Sequence, residues 1–174
     1  VLTMPAELVG TGTAVLPEDQ GLPLDVAGVW TLDITVTTDG DQTPIAPGTT
    51  VSDTTQAGRR TVRFKSDAPI NHFFSIQSAR YVVKKDKLGD VELAVYHQPG
   101  HAYNVDRMLA AMKTSLQLFG QQFSPYQFRQ ARILEFPSYA NFAQSFANTI
   151  PYSENIGFLT RLGDADKIDV VTYV

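Results

Sequence analysis

The sequence predicts an α+β fold: a β-rich first half followed by a helix and further strands. Three observations carry this prediction. Apolar and polar residues alternate from Trp30 to Thr37, a single stripe at helical spacing runs from Val105 to Phe119, and the texture changes between them at Pro99-Gly100. With 174 residues, 43% of them apolar and 18% charged, the chain can bury a sizeable core without covalent staples. It is expected to hold one ordinary domain or two small ones sharing a core.

In the alternating stretch, Trp30, Leu32, Ile34 and Val36 point one way and Thr31, Asp33, Thr35 and Thr37 the other, the period of a half-buried strand. Thr38-Asp39-Gly40-Asp41 supplies a turn signal. Residues 39–58 are rich in Thr, Pro and Gly and predict a long hairpin or loop. Further strands are expected over 60–66 (Val62 and Phe64 on one face), 72–83 and 90–97 (Val91, Leu93 and Val95 on one face), with a weaker one over 7–16. Several short strands with polar turns point to sandwich-like sheets. The helix is expected over 105–119, with Asn104 as cap, Asp106 in the first turn and Gly120 just past the end. Strands over 132–136, 155–162 and 168–174 should follow, with an aromatic loop or short helix at 139–148. The domains are expected to divide as 1–98 and 99–174. The chain begins and ends abruptly, and is expected to be a piece of something longer.

Composition excludes several functions. The chain has no cysteine, which removes disulfides, thiolate metal sites and a Cys nucleophile. A net charge of −4 argues against a nucleic-acid surface. Eight of the fourteen basic residues fall within 59–87, accompanied by only Asp67 and Asp86; they are expected on the solvent face of strands and in the turn of Lys84, Lys85 and Lys87. No apolar run is long enough to span a membrane, and no basic leader precedes an apolar one at the start.

The residues carry little chemistry on their own. His97 and His101 stand four apart, but Pro99 and Gly100 between them prevent a helical metal pair, and His72 belongs to another expected strand. No metal site is expected. Gly10-Thr11-Gly12 is too short for a phosphate loop, and there is no Gly-x-Ser-x-Gly elbow. Tyr152 is expected to pack, and Tyr139, Phe142 and Phe146 to form a hydrophobic lid. From the residues alone, Glu154 is a solvated side chain at a strand start and Asn155 a turn residue.

An ordered series of motifs from Ala68 onward resembles zinc aminopeptidases of the aminopeptidase N (gluzincin) type. Asp67-Ala68-Pro69-Ile70 with Phe73-Phe74-Ser75-Ile76 resembles the strand ending their N-terminal β-domain. The run Val91-Glu92-Leu93-Ala94-Val95-Tyr96-His97-Gln98-Pro99-Gly100-His101 resembles their crossing strand. The helix followed by Phe123-Ser124-Pro125-Tyr126 resembles the first helix of the catalytic domain, and residues 132–137 the strand after it. Pro151-Tyr152-Ser153-Glu154-Asn155-Ile156-Gly157-Phe158 falls where the family carries Gly-x-Met-Glu-Asn, with Pro151 and Ser153 replacing its Gly and Met. Leu134-Glu135-Phe136-Pro137 and Gln144-Ser145-Phe146 resemble a bacterial subgroup joined to membrane proteins of the ABC-transporter type.

The resemblance implies the end of a β-sandwich domain followed by the start of a thermolysin-like catalytic domain. It implies a parent that uses zinc to remove N-terminal residues from peptides. No His-Glu-x-x-His occurs in this sequence, so the chain alone is expected to be inactive and to hold no cofactor. Glu154 would bind the peptide's α-ammonium, assisted by Ser153, Asn155 and Gly157, while the strand edge beside it pairs with the peptide backbone. Gly157 could equally be a packing glycine. Expected partners are the peptide, the rest of the catalytic domain, a membrane permease portion and, through an exposed apolar face, a second copy; no nucleic acid is expected. The expected location is the extracytoplasmic side of a bacterial membrane protein. The alternative is a non-catalytic extracytoplasmic binding module of a membrane transport protein; a free-standing β-rich interaction domain is a third reading.

Overall fold

The alternation of the first half folds into antiparallel pairs. The computed structural model describes residues 29–71 and 73–161. Its strands are β1 (Val29–Trp30), β2 (Asp33–Asp39), β3 (Thr43–Ile45), β4 (Thr49–Gln56), β5 (Arg59–Lys65), β6 (Ile70–Asn71), β7 (Gln77–Ala79), β8 (Val82–Leu88), β9 (Val91–His97), β10 (Gln130–Phe136) and β11 (Thr149–Ser153), with helix α1 (Val105–Gln122) between β9 and β10. The chain divides into two compact units, Val1–Arg80 and Tyr81–Val174.

In the first unit, β2, β5 and β4 form an antiparallel sheet in that order. Val36 stands opposite Val62 and Ile34 opposite Phe64. Val36, Val62 and Phe64 are buried with Ala46 in a small core, as the alternation requires. The expected strand over 29–37 is interrupted at residues 31–32, where Leu32 exchanges hydrogen bonds with Ser66: its N–H donates to Ser66 Oγ and its carbonyl accepts from Ser66 N–H, both at 2.9 Å. The Thr-rich stretch becomes a hairpin of β4 and β5. Ala57 and Gly58 turn it with φ of 50° and 75°, the positive values that suit the twist of a two-residue turn. The basic cluster lies on the solvent side and is answered by acids: Arg59 by Asp39, Arg60 by Asp53, Arg63 by Asp33 and Arg80 by Asp41. The Arg63 guanidinium holds the Asp33 carboxyl below its usual range.

The expected strand over 72–83 is two strands, because β7 pairs with β3 while β8 pairs with β9. The expected strands at 7–16 and 168–174 lie outside the described residues, as do Gly10-Thr11-Gly12 and His72.

The second unit is a four-stranded sheet in the order β11-β10-β9-β8. Strands β8 and β9 make an antiparallel hairpin, whereas β9, β10 and β11 are parallel. Pro99-Gly100 therefore does not separate the units, since β9 is held in register to β10 from Glu92↔Gln130 to Tyr96↔Leu134. Helix α1 makes the crossover that a parallel pair requires. Its Val105, Met108, Leu109 and Met112 are buried with Leu93, Val95, Ala131, Ile133, Tyr152 and Phe158. Leu118, Phe119 and Phe123 at its far end are exposed. The helix runs through Gly120 instead of stopping before it, and Phe123 N–H still donates to Phe119 O at 2.9 Å.

Residues expected as a strand over 155–162 instead form a single π-helical turn, Glu154–Phe158, closed by Leu159 N–H donating to Glu154 O at 2.8 Å. Asn104 does not cap α1 with its side chain. Its Nδ2 donates to Gly157 O (2.6 Å) and Thr160 O (2.7 Å), pinning this turn beside the start of the helix. Both carbonyls are thereby satisfied without a strand ladder, and Phe158 is buried in the core. Residues 139–148 form no helix; they run back along β11, with bridges Ala143↔Tyr152 and Phe146↔Thr149. Phe136 packs against the rings of Tyr139 and Phe142 at centroid distances of 5.4 and 4.8 Å.

Candidate functional site

Three parallel strands end on the same side of the second unit's sheet: β9 at His97, β10 at Phe136 and β11 at Ser153. The carboxyl ends of parallel strands are where open α/β sheets place ligand groups. Here each strand delivers one such group, His101 after β9, Glu135 near the end of β10 and Glu154 directly after β11. One ligand atom from each lies within 4.8 Å of the others.

Glu135 is the anchor. Its side chain is fully buried, and a buried carboxylate must be hydrogen-bonded or charge-compensated to be tolerated. Oε2 accepts from the Gln98 N–H at 2.5 Å, and Oε1 meets His101 Nδ1 at 2.5 Å. His101 is brought there by the turn at Pro99-Gly100, where Gly100 adopts a φ of 87° and His101 N–H donates to Gln98 O. The break that prevents a helical His pair is thus what directs His101 at Glu135. The imidazole remains 27% exposed, so the buried carboxylate lies one side chain away from solvent. Above β10, the Tyr81 hydroxyl donates to the Glu135 backbone carbonyl at 3.0 Å; burial pushes that phenol's pKa well above its ordinary value.

Glu154 is half-buried. Its Oε1 accepts from Ser138 N–H at 2.8 Å, and its other oxygen has no hydrogen-bond partner among the described residues. No Arg or Lys pairs with Glu154 or Glu135 among the described residues. The two arginines nearest to it in strand order or sequence are engaged elsewhere. Buried Arg132 donates to Asn148 Oδ1 (2.7 Å) and Thr149 Oγ1 (3.1 Å), and Arg161 lies 4.1 Å over the Tyr103 ring.

The other residues singled out in the sequence are spread around this point. Ser153 is fully buried, with an Oγ that has no hydrogen-bond partner among the described residues. Asn155 is exposed and donates from Nδ2 to Asn141 Oδ1 at 3.3 Å. Gly157 is buried where a Cβ would stand 2.7 Å from Met108 Cε and 2.8 Å from the Tyr152 ring, so packing alone accounts for the glycine. Tyr152 is buried edge-on to Phe158. His97 is buried with Nδ1 at 2.9 Å from Gln98 O, while His101 is committed to Glu135.

The expected strand edge for substrate pairing is occupied. β11 is the last strand of the sheet, but its outer side is bonded to residues 142–146: Ser153 N–H donates to Phe142 O (3.0 Å), Gln144 N–H to Pro151 O (3.1 Å) and Phe146 N–H to Thr149 O (2.9 Å). A peptide backbone could add there only by displacing this segment. A separate apolar cavity of about 480 Å³ opens between α1 and strands β10 and β11, lined by Met108, Met112, Leu116, Phe119, Ile133 and Phe146 among others, and contains none of the three clustered residues.

Sequence reasoning missed Glu135 and His101 as site residues. They are 34 residues apart, and no local spacing joins them. One signal was present: Glu135 is the single charge in the run Ile133-Leu134-Glu135-Phe136, at a position whose neighbours are all core.

No family model and no curated protein matches this chain. Solved structures do. A mutant M1 zinc metallopeptidase from Deinococcus radiodurans superposes with a TM-score of 0.62 at 16% identity, over 72% of this chain and 30% of that one. An M1 zinc metallopeptidase from the same organism gives 0.61 at 16% identity, over 71% and 30%. A two-domain M1 zinc metallopeptidase mutant bound to L-arginine gives 0.60 at 15% identity, over 72% and 30%. The chain thus shares the fold of a portion of these enzymes and spans about 30% of their length. No described helix is long and apolar enough to cross a membrane.

Proposed function

We propose that this chain is the amine-recognising portion of an aminopeptidase-like protein, in which Glu154 receives the α-ammonium of a peptide. The observation that carries this reading is the state of Glu154: one oxygen is fixed by the Ser138 amide, the other has no partner, and no cation is paired with it among the described residues. A carboxylate so held is pre-oriented for a charge-assisted hydrogen bond and pays little ordering cost when an ammonium arrives. Buried Glu135, within reach of the same point, adds negative potential behind it. The similarity of fold to M1 zinc metallopeptidases supports the same class of substrate.

In this reading Asn155, exposed beside Glu154, bonds the first peptide unit, while Ser153 and Gly157 hold the π turn in place. The peptide lies across the carboxyl ends of the strands and not along β11, whose outer edge is taken. Zinc belongs to the full-length peptidase of the proposal. The residues of this chain do not fit a catalytic zinc of that family, because the sequence lacks His-Glu-x-x-His, and no hydrolytic step is assigned to it.

The test is calorimetric titration of the chain with a dipeptide amide and with its N-acetylated form. Loss of a charge-assisted hydrogen bond is worth about 1.5–3 kcal/mol, or roughly tenfold to more than a hundredfold in affinity. The free amine is expected to bind more tightly by that factor, and Glu154→Gln to erase the difference. Equal affinity for both peptides contradicts the reading.

A further inference from the structure

We propose that His101, Glu135 and Glu154 form a binding site for a divalent transition-metal ion of the zinc class, separate from any His-Glu-x-x-His centre. One imidazole and two carboxylates form a donor set suited to borderline metals, and two carboxylates with a neutral imidazole balance a double positive charge. The ligand atoms are already gathered within 4.8 Å. Tetrahedral zinc, with bonds of about 2.0–2.2 Å, places its ligands about 3.3 Å apart. Insertion therefore opens the 2.5 Å contact between His101 and Glu135 by about 1 Å and draws the widest pair in by up to about 1.5 Å, movements within the reach of side-chain rotation.

The second observation is the burial of Glu135. Its carboxylate is fully removed from solvent and, among the described residues, has no Arg or Lys partner and is hydrogen-bonded by the Gln98 amide and His101. A cation seated between His101 and Glu154 compensates that charge where, among the described residues, no Arg or Lys does. The supporting shell is also built. Each carboxylate has one oxygen anchored by a backbone N–H, from Gln98 and Ser138 respectively, and such outer hydrogen bonds orient metal ligands. The exposed side of His101 gives the ion a path from solvent.

This inference does not rest on the amine reading, although zinc and an ammonium would compete for Glu154, and the two can fail separately. The test is titration of the full chain with zinc chloride by calorimetry, repeated with cobalt(II) by visible absorption. The expected result is one saturable zinc site per chain and a cobalt spectrum distinct from that of the aquated ion. His101→Ala and Glu154→Gln, both at partly exposed side chains, should each weaken zinc by at least about tenfold. Asp106→Asn, at an exposed carboxylate paired with Lys84, should leave zinc binding unchanged. Circular dichroism of each variant establishes that it is folded. Absence of saturable zinc binding, or binding that folded His101→Ala and Glu154→Gln retain in full, overturns the proposal. Because His101→Ala leaves Glu154 in place, it should keep the preference for a free amine while losing zinc; equal affinity of the unsubstituted chain for both peptides, with its saturable zinc site present, would sink the functional reading and leave this one standing.

Discussion

Glu135 occupies a position that the packing of β10 assigns to the core, between Ile133 and Phe136, and pays for it with bonds to Gln98 and His101. Residues of this kind are invisible to motif counting, because their meaning depends on what the fold places opposite them. Glu154 was legible only through the motif it sits in; nothing in its local sequence distinguishes it from a solvated Glu. Gly157 shows the opposite case, a glycine within a suggestive motif whose requirement is steric. A Cβ there meets the Tyr152 ring, which is too deeply buried to move aside. Gly157→Ala should therefore destabilise the chain by about 1–3 kcal/mol, as overpacking does, measurable as a lower urea midpoint at unchanged slope. An unchanged midpoint would show that the turn has room to give.

At the scale of elements, the helix and most strands follow from the sequence because their periods are strong. The stripe Val105, Met108, Leu109 and Met112 is buried as its spacing demands, and the faces of β5 and β9 are those that the alternation of Val62 and Phe64, and of Leu93 and Val95, requires. The ends were less legible. Gly120 resembled a stop but lies within the helix, and Asn104 holds the expected N-cap position but its side chain is spent on the carbonyls of Gly157 and Thr160, more than fifty residues away. That long-range tie is also what turns the residues after β11 into a π turn, and so what holds Glu154 at the sheet edge. Asn104→Ala leaves two carbonyls without their donor, at a cost of about 1–3 kcal/mol for a buried polar group left unsatisfied. Hydrogen exchange should then accelerate selectively at the Leu159 amide, which closes the turn, while the amides of α1 beyond its first turn stay protected. Uniform acceleration across both would mean that Asn104 supports the fold at large and not this turn.

At the scale of the whole molecule, the parallel arrangement of β9, β10 and β11 decides where chemistry can occur, and it was the least legible feature. Parallel pairing joins segments separated by a helix or a long connection, so no local period reports it. The resemblance of ordered motifs implied a helix with strands and left their pairing open; the fold shared with a portion of M1 zinc metallopeptidases is the coarser finding. The carboxyl ends of those strands bring together a His and two Glu from three distant parts of the chain, and the account rests on that edge being the place where a cationic ligand group is received. The most direct measurement is a nuclear magnetic resonance titration of the ¹⁵N-labelled chain with a dipeptide amide and with its N-acetylated form. The Gln98 and Ser138 amides donate to Glu135 and Glu154 and so report on the two carboxylates. The account predicts that these two amides shift most with the free amine and stay in place with the acetylated peptide. Shifts centred on the apolar cavity around Leu116 and Phe146, alike for both peptides, would contradict it.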